Sequence, residues 1–279
     1  MNELIALSDG HGMNTAGNRT PILPNGLRSE TGNFMHENEF NRAVVKYLDI
    51  ELRRCKFRTL LVAPTDEDTP LSERTNLANS KGADAYVSIH ANAFDSAFNG
   101  NDPKGFEVYH YPTSVNGKKL ATIVHKYLAK GTPQVDRGVK SANFHEVREP
   151  NCVAILIEAG FMDNLEEAKL LLSDSFRREC AREIAQGLCE YFGVPYVAES
   201  TPVPQPTPSN LYRVRLSWED VKSQKGAFSN LNYAIECAKE NSGYKVYDSN
   251  GKQVYPEVVP PTPEEMYRVR LSWEDAKSQ

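Results

Sequence analysis

His11 sits in the run SDGHG, directly after a short apolar stretch and between two glycines that let the backbone turn sharply around the imidazole. His90 closes the apolar run of YVSIHAN, and Glu158 closes that of VAILIEAG. In open α/β sheets ligands gather beyond the carboxyl ends of the strands, so three ionisable side chains at three such ends are expected to converge. A carboxylate at the end of AILIE is costly to bury alone, which calls for a cationic neighbour near Glu158.

Imidazole nitrogens and carboxylate oxygens are donors for zinc, which in catalytic sites takes three from the protein and leaves a fourth position to water. Two histidines therefore need one carboxylate beside them. The segment HENEFNRAVVKYLDIEL supplies it, because Glu37 precedes Phe40, Val44 and Leu48 by three, seven and eleven residues and so shares their inward helical face. Glu37 is the ligand candidate. Glu39 falls nearly opposite and reads as a solvated first-turn carboxylate favoured by the helix dipole.

To bring these residues together the first two hundred positions must form an α/β layer structure, since short apolar runs alternate there with longer amphipathic ones. The pattern predicts strands over 4–8, 59–63, 85–90, 106–111 and 153–158. It predicts helices over 37–53, 71–80, 117–129 and 175–192, the last stopped by Gly193 and Pro195. The expected fold is an open, mostly parallel twisted sheet with helices on both faces, followed by a small α+β repeat domain.

With 279 residues, 40% hydrophobic and 25% charged, the chain can bury a full core and one smaller appendage. A net charge of -5 without any Lys or Arg run excludes a basic footprint for nucleic acid. The start MNELIALSDGHG carries no basic residue before its apolar stretch, and no segment nears the roughly 20 apolar residues of a bilayer span. Synthesis in the cytoplasm without an export signal, and no membrane insertion, are the expectations. Five scattered cysteines, none in CxxC spacing, read as reduced thiols, with Cys152 a packing residue near the active strand.

The stretch ESTPVPQPTPSN, 199–210, has the composition of a stiff solvated linker. Beyond it YRVRLSWEDVKSQ from Tyr212 returns as YRVRLSWEDAKSQ from Tyr267, a tandem repeat with a period of 55 residues, differing only at Val221 and Ala276. The expected organisation is a catalytic domain over 1–198, a linker over 199–210, a first repeat over 211–255, a second Pro-rich linker over 256–266 and a truncated second repeat over 267–279. In the first repeat a strand from Tyr212, a helix over 230–239 and a hairpin-like pair around 244–255 are expected, with 248–251 as the turn. One such unit buries little surface and is expected to lean on its neighbour.

Taken together, DGHG around His11, E-x-E-F-N at Glu37, SIHAN around His90, GFEVYHY from Gly105 and LIEAGFMDN around Glu158 resemble the zinc-dependent N-acetylmuramoyl-L-alanine amidases of the Amidase_3 type, found in phage endolysins and bacterial autolysins. The resemblance covers most of 4–196. It implies one zinc ion per chain on His11, Glu37 and His90, with Glu158 as the catalytic carboxylate. It also implies bacterial peptidoglycan as partner and, as substrate, the amide joining the lactyl group of muramic acid to L-alanine. One departure is Asp9 placed directly before Gly10, where many relatives have a proline between them.

Asn92, Arg74, Arg137 and Arg148 are candidate substrate contacts, the arginines for stem-peptide carboxylates. His36, His110, His125 and His145 lack a motif partner and read as ordinary surface or core histidines. The stretch GAFSNLNYAIECAKENSGYKV resembles sporulation-related glycan-binding repeats, and Tyr212, Trp218, Phe228, Tyr233, Tyr244 and Tyr247 in that region read mainly as packing residues. The leading expectation is a phage endolysin released from the host cytoplasm through a holin-type lesion. Its rivals are a mother-cell autolysin of the same chemistry, a zinc peptidase and a non-catalytic wall-binding protein.

Overall fold

The computed structural model describes residues 3–24, 26–198, 211–228 and 231–256. It divides into two compact units, Met1–Ala198 and Glu199–Gln279. The 199–210 linker, the truncated second repeat and all of the second Pro-rich stretch except Pro256 lie outside the described residues.

The first unit is a six-stranded sheet in the order β2-β1-β3-β6-β4-β5. Its strands are β1 Leu4–Asp9, β2 Arg58–Leu61, β3 Ala85–Asn92, β4 Phe106–His110, β5 Asp136–Ser141 and β6 Val153–Phe161. All neighbours run parallel except β4 against β6. Parallel partners need crossover helices, and α1 Glu37–Arg54, α2 Leu71–Ser80 and α3 Val115–Gly131 supply three of them. The short α4 His145–Arg148 leads into β6, while α5 Leu165–Leu171 and α6 Asp174–Phe192 follow it.

Side chains alternate across the strands and so sort onto two layers. Ile5, Leu7, Val87, Ile89, Ile155 and Ile157 point to one face, where they join Phe40, Val44 and Leu48 of α1, Leu120 and Val124 of α3 and Ile184 and Leu188 of α6. Ala6, Tyr86, Ala154 and Leu156 point to the other, with Ala78 of α2 and Val147 of α4. The expected helices on both faces are present. Ser114 caps α3 through its Oγ, which accepts Gly117 N–H at 3.0 Å, and α6 ends on Gly193 in the left-handed region at φ 68°.

The structure extends several expected elements and adds others. β3 and β6 run two and three residues past the predicted stops at His90 and Glu158, so both site residues lie inside strands instead of following them. β5, α4 and α5 were not predicted; β5 is an edge strand with no fully buried residue, and α4 is only four residues long.

The second unit is an antiparallel sheet in the order β10-β9-β7-β8, with α7 against it. Its elements are β7 Tyr212–Arg215, β8 Gly226–Phe228, α7 Leu231–Glu240, β9 Lys245–Tyr247 and β10 Gln253–Tyr255. Val214, Ala234, Ala238 and Val246 form its small core. Asp248 closes the expected turn, its carbonyl accepting Gly251 N–H at 3.1 Å. All four strands come from one repeat copy. Tyr212, Phe228 and Tyr244 pack on the core as expected, and Trp218 lies 5.9 Å from the Tyr247 ring.

Candidate metal centre

The turn after β1 is fixed before any ligand is considered. Gly10 N–H donates to Ile89 carbonyl at 3.0 Å, holding the turn against β3. A Cβ on Gly10 would lie 2.2 Å from Cε1 of His90, and one on Gly12 would lie 2.3 Å from the backbone nitrogen of Asp68. Both glycines are there for close approach. Between them His11 takes φ 61°, a left-handed conformation that side-chain-bearing residues hold only when their surroundings enforce it. The enforcing groups are Asn38, whose Nδ2 donates to the carbonyls of Gly10 and His11 at 3.0 Å each, and Arg74, which donates to those of Asp9 at 2.7 Å and His11 at 3.0 Å.

Glu37 opens α1 beneath this turn and is 4% exposed. Its Oε1 lies 3.0 Å from His90 Nδ1 and accepts from Ala91 N–H and Asn41 Nδ2 at 3.1 Å each. Its Oε2 lies 3.3 Å from His11 Nε2. The two imidazoles meet edge to face with centroids 5.1 Å apart. His11, Glu37 and His90 thus each offer one donor atom, all within 4.8 Å of one another. Two of the three side chains expected to converge, His11 and His90, meet here, joined by Glu37 from α1.

Glu158 neighbours this trio through the sheet itself. It pairs with His90 across β3 and with Glu107 across β4, so the three side chains share the face covered by α2 and α4. Its Oε2 is buried without a hydrogen-bond partner among the described residues. Burial pushes its carboxyl up to about 8; His90 pulls against this, while the negative charges of Glu37 and Glu107 add to it.

The other titrations follow from the same crowding. Burial pushes the Glu37 carboxyl up, but the hydrogen bond and charge of His90, together with His11, outweigh it and hold the group below its ordinary value. Burial lowers His11. Burial also opposes charge on His90, but Glu146 and Glu37 overcome it and raise the imidazole well above its ordinary range. Three carboxylates, Glu37, Glu146 and Glu158, therefore face two imidazoles. Excess buried negative charge, a partnerless carboxylate oxygen and a mixed nitrogen and oxygen donor set all suit a divalent cation.

The remaining sequence-derived candidates separate. Arg74 is fully buried at 0% exposure, and its guanidinium is used up on the carbonyls of Thr69, Asp9 and His11, on Ser8 Oγ and on Asp68. It braces the His11 turn and presents no surface to substrate, which corrects the expected role. Arg137 is partly exposed, lies over the Phe161 ring at 4.9 Å and donates from Nε to Glu107 at 2.8 Å. Asn92 donates to the same carboxylate at 3.1 Å, so both ring the Glu158 neighbourhood. Arg148 lies on the surface of α4, where it holds Asn143 and Glu149.

Glu39 is not solvated. It is 7% exposed and accepts from His36 N–H at 2.8 Å, Thr31 Oγ1 at 2.7 Å and Glu30 N–H at 3.1 Å, tying the start of α1 to the preceding loop. Asp9, whose place departs from the family pattern, accepts from Arg42 Nε at 3.3 Å. His36, His110, His125 and His145 have local partners; His145 Nε2 meets Thr75 Oγ1 at 3.1 Å. Cys152 has its thiol pushed up to about 11 by burial, which suits packing and not nucleophilic attack.

Two residues of the site were not singled out from the sequence. Glu107 is buried, and although burial pushes its carboxyl up, Lys140, Arg137 and Tyr109 hold it below the ordinary range. Glu146 lies 3.3 Å from His90 Nε2. The motif GFEVYHY already contained the first as the polar member of an alternating strand. The second stood beside His145 on a helix too short to leave a periodicity.

The open α/β sheet thus carries a His-Glu-His donor trio that could hold a metal ion, with a further carboxylate in the adjacent strand. Comparison with known proteins gives the family. It belongs to the Amidase_3 family, described as N-acetylmuramoyl-L-alanine amidase, whose profile matches residues 5–190. It is 40% identical over 136 residues to the N-acetylmuramoyl-L-alanine amidase CwlM of Bacillus licheniformis, covering 48% of this chain and 51% of that protein. It is 30% identical to the endolysin of Bacillus phage SPP1, covering 68% of this chain and 66% of that one. The chain therefore spans about half to two thirds of the length of these relatives. The crystal structure of N-acetylmuramoyl-L-alanine amidase from Clostridium difficile 630 superposes with a TM-score of 0.59 at 29% identity, over 69% of this chain and 97% of that one.

Proposed function

We propose that the chain is a zinc-dependent peptidoglycan amidase that cleaves the bond between N-acetylmuramic acid and L-alanine. The observation that carries the reading is the meeting of His11, Glu37 and His90 donor atoms within 4.8 Å, beside a carboxylate with a partnerless buried oxygen. His11, Glu37 and His90 would hold the ion, which when bound supplies Lewis acidity to the scissile carbonyl and to the attacking water. Glu158 takes the proton of that water and passes it to the leaving amine nitrogen. Burial holds this carboxyl up in the metal-free site, and a divalent cation on the neighbouring donors would pull it down toward the carboxylate that a general base requires. Asn92 and Arg137 stand beside it as candidate substrate contacts.

Membership in the amidase family supports this choice of bond over an ordinary peptide. The test is to digest purified walls and label the products: new L-alanine amino termini are expected, and new reducing sugars in their place would refute the reading. Chelation should remove the activity and zinc restore it. The second unit is proposed to hold the enzyme on the wall, as a separately folded sheet on a Pro-rich tether. A pull-down of residues 199–279 with walls checks that.

For the biological setting we propose a phage endolysin, supported by the likeness to the SPP1 protein. No helix among the described residues is long and apolar enough to cross a membrane, and a holin-type lesion is the proposed route to the wall. Expression inside a host should leave cells intact until a pore-forming partner is co-expressed. Lysis without that partner would favour the rival autolysin reading.

A further inference from the structure

We propose that Glu146 is a positioning residue that fixes the tautomer of His90 and thereby commits Nδ1 of that imidazole to the metal. This rests on the reading that His11, Glu37 and His90 hold the ion. The His90 ring is held at both nitrogens: Nδ1 faces Glu37 Oε1 at 3.0 Å, and Nε2 faces Glu146 Oε2 at 3.3 Å. A neutral imidazole has one N–H and one lone pair, so whichever group claims the N–H decides which nitrogen can ligate.

Glu146 makes that decision because it has no other way to turn. It is 3% exposed, and its Oε1 accepts Ser8 Oγ–H at 2.6 Å and Tyr86 Oη–H at 2.7 Å. The Ser8 hydroxyl is in turn oriented by Arg74, whose Nη1 donates to Oγ at 3.1 Å and leaves the hydroxyl hydrogen for the carboxylate. With Oε1 occupied by two donors, Oε2 is aimed at His90. Both carboxylates only accept, so each ring nitrogen can carry a hydrogen while no cation is bound; a cation held by Glu37 would take the place of the Nδ1 hydrogen, and Nε2 keeps its own toward Glu146. A buried acceptor behind a ligating imidazole fixes ring orientation and makes the opposite nitrogen a better donor.

The experiment uses the full chain and two readouts that a merely structural carboxylate would not move. Metal-free protein is titrated with zinc in competition with a chromophoric chelator, and the imidazole nitrogens of the zinc-loaded chain are assigned by NMR. The wild-type chain is expected to show His90 protonated at Nε2 and metal-bound at Nδ1. The opposite assignment overturns the proposal without any variant. In Glu146→Gln the amide oxygen is drawn to the Ser8 and Tyr86 hydroxyls, which turns the NH2 toward Nε2 and forces the His90 hydrogen onto Nδ1. Zinc affinity should fall about 10–100-fold, with the metal-free melting temperature as the check on folding. Wild-type affinity in a folded Glu146→Gln chain overturns the proposal. Absence of zinc binding by the wild-type chain would instead refute the metal site itself.

Discussion

Under α1, α3 and α6 the six-stranded sheet is lined by Ile5, Leu7, Val87, Ile89, Ile155 and Ile157, all buried against apolar helix faces. Under α2 and α4 the same strands present Ser8, Ser88, His90, Glu107 and Glu158 near their ends, and the covering helices add Arg74 and Glu146. Ile89 and His90 are consecutive residues, as are Ile157 and Glu158. One layer contributes cohesion through apolar burial and the other carries the candidate metal donors and their polar neighbours, with a single residue step between them. Damage to the first should therefore be read in stability, and damage to the second in metal binding or turnover.

The largest effects should fall on the polar layer and split by residue. His90→Ala is expected to lose both zinc and wall lysis, whereas Glu158→Ala should keep zinc while lysis falls on the order of 10²- to 10⁴-fold. Metal analysis beside a turbidity assay checks this, and undiminished lysis by the glutamate variant contradicts the mechanism. Gly10→Ala is next: its Cβ meets the His90 ring at 2.2 Å, so zinc affinity should drop sharply while the far-ultraviolet circular dichroism stays native.

On the apolar layer Leu48→Ala should cost about 2–5 kcal/mol of stability and leave zinc stoichiometry at one in the folded chain. Denaturant melts with and without metal distinguish the two; lost zinc at full stability would erase the contrast between the layers. The smallest effect belongs to Glu183 on α6. Burial pushes its carboxyl up to about 8, the Glu179 charge adding and Arg182 opposing, and its Oε2 has no partner among the described residues. The fold favours the neutral acid, so stability is greatest below the ordinary carboxyl pKa near 4.5 and declines until pH passes about 8. Glu183→Gln should match wild type in melting temperature at the acid end, exceed it increasingly toward pH 8 and hold a constant lead above that. A lead independent of pH would show that ionisation is not the cause.

Much of this architecture was legible in the residues because apolar alternation and glycine placement are local signals. α2 falls on its predicted bounds, and α1 and β1 extend theirs by one residue each. β3 and β6 were cut short at His90 and Glu158 because the pattern turns polar there while backbone pairing continues to Asn92 and Phe161. β5, DRGVKS, has no apolar alternation because it lies at the edge of the sheet. Arg74 was read as a candidate substrate contact because burial of a guanidinium depends on carbonyls brought from β1 and its turn, which no local pattern reveals. Glu39 misled for the same reason, its partners being backbone groups of a loop. The candidate donors His11, Glu37 and His90 and the neighbouring Glu158 could be picked out because each stands at the junction of an apolar run and a turn or helix start; Glu146, on a single helical turn, offered no such junction.

The pairing of β6 with β3 sets a condition on how this domain can change. His90 stands opposite Glu158, and successive residues on a strand face opposite ways. Insertion of one residue into β6 ahead of Glu158 would swing the carboxylate beneath the long helices and bring an isoleucine into the cleft, leaving a molecule of familiar outline and no chemistry. Two inserted residues would restore the sidedness, so length variation among working descendants of this chain should come in pairs along that strand and freely in the loops around it.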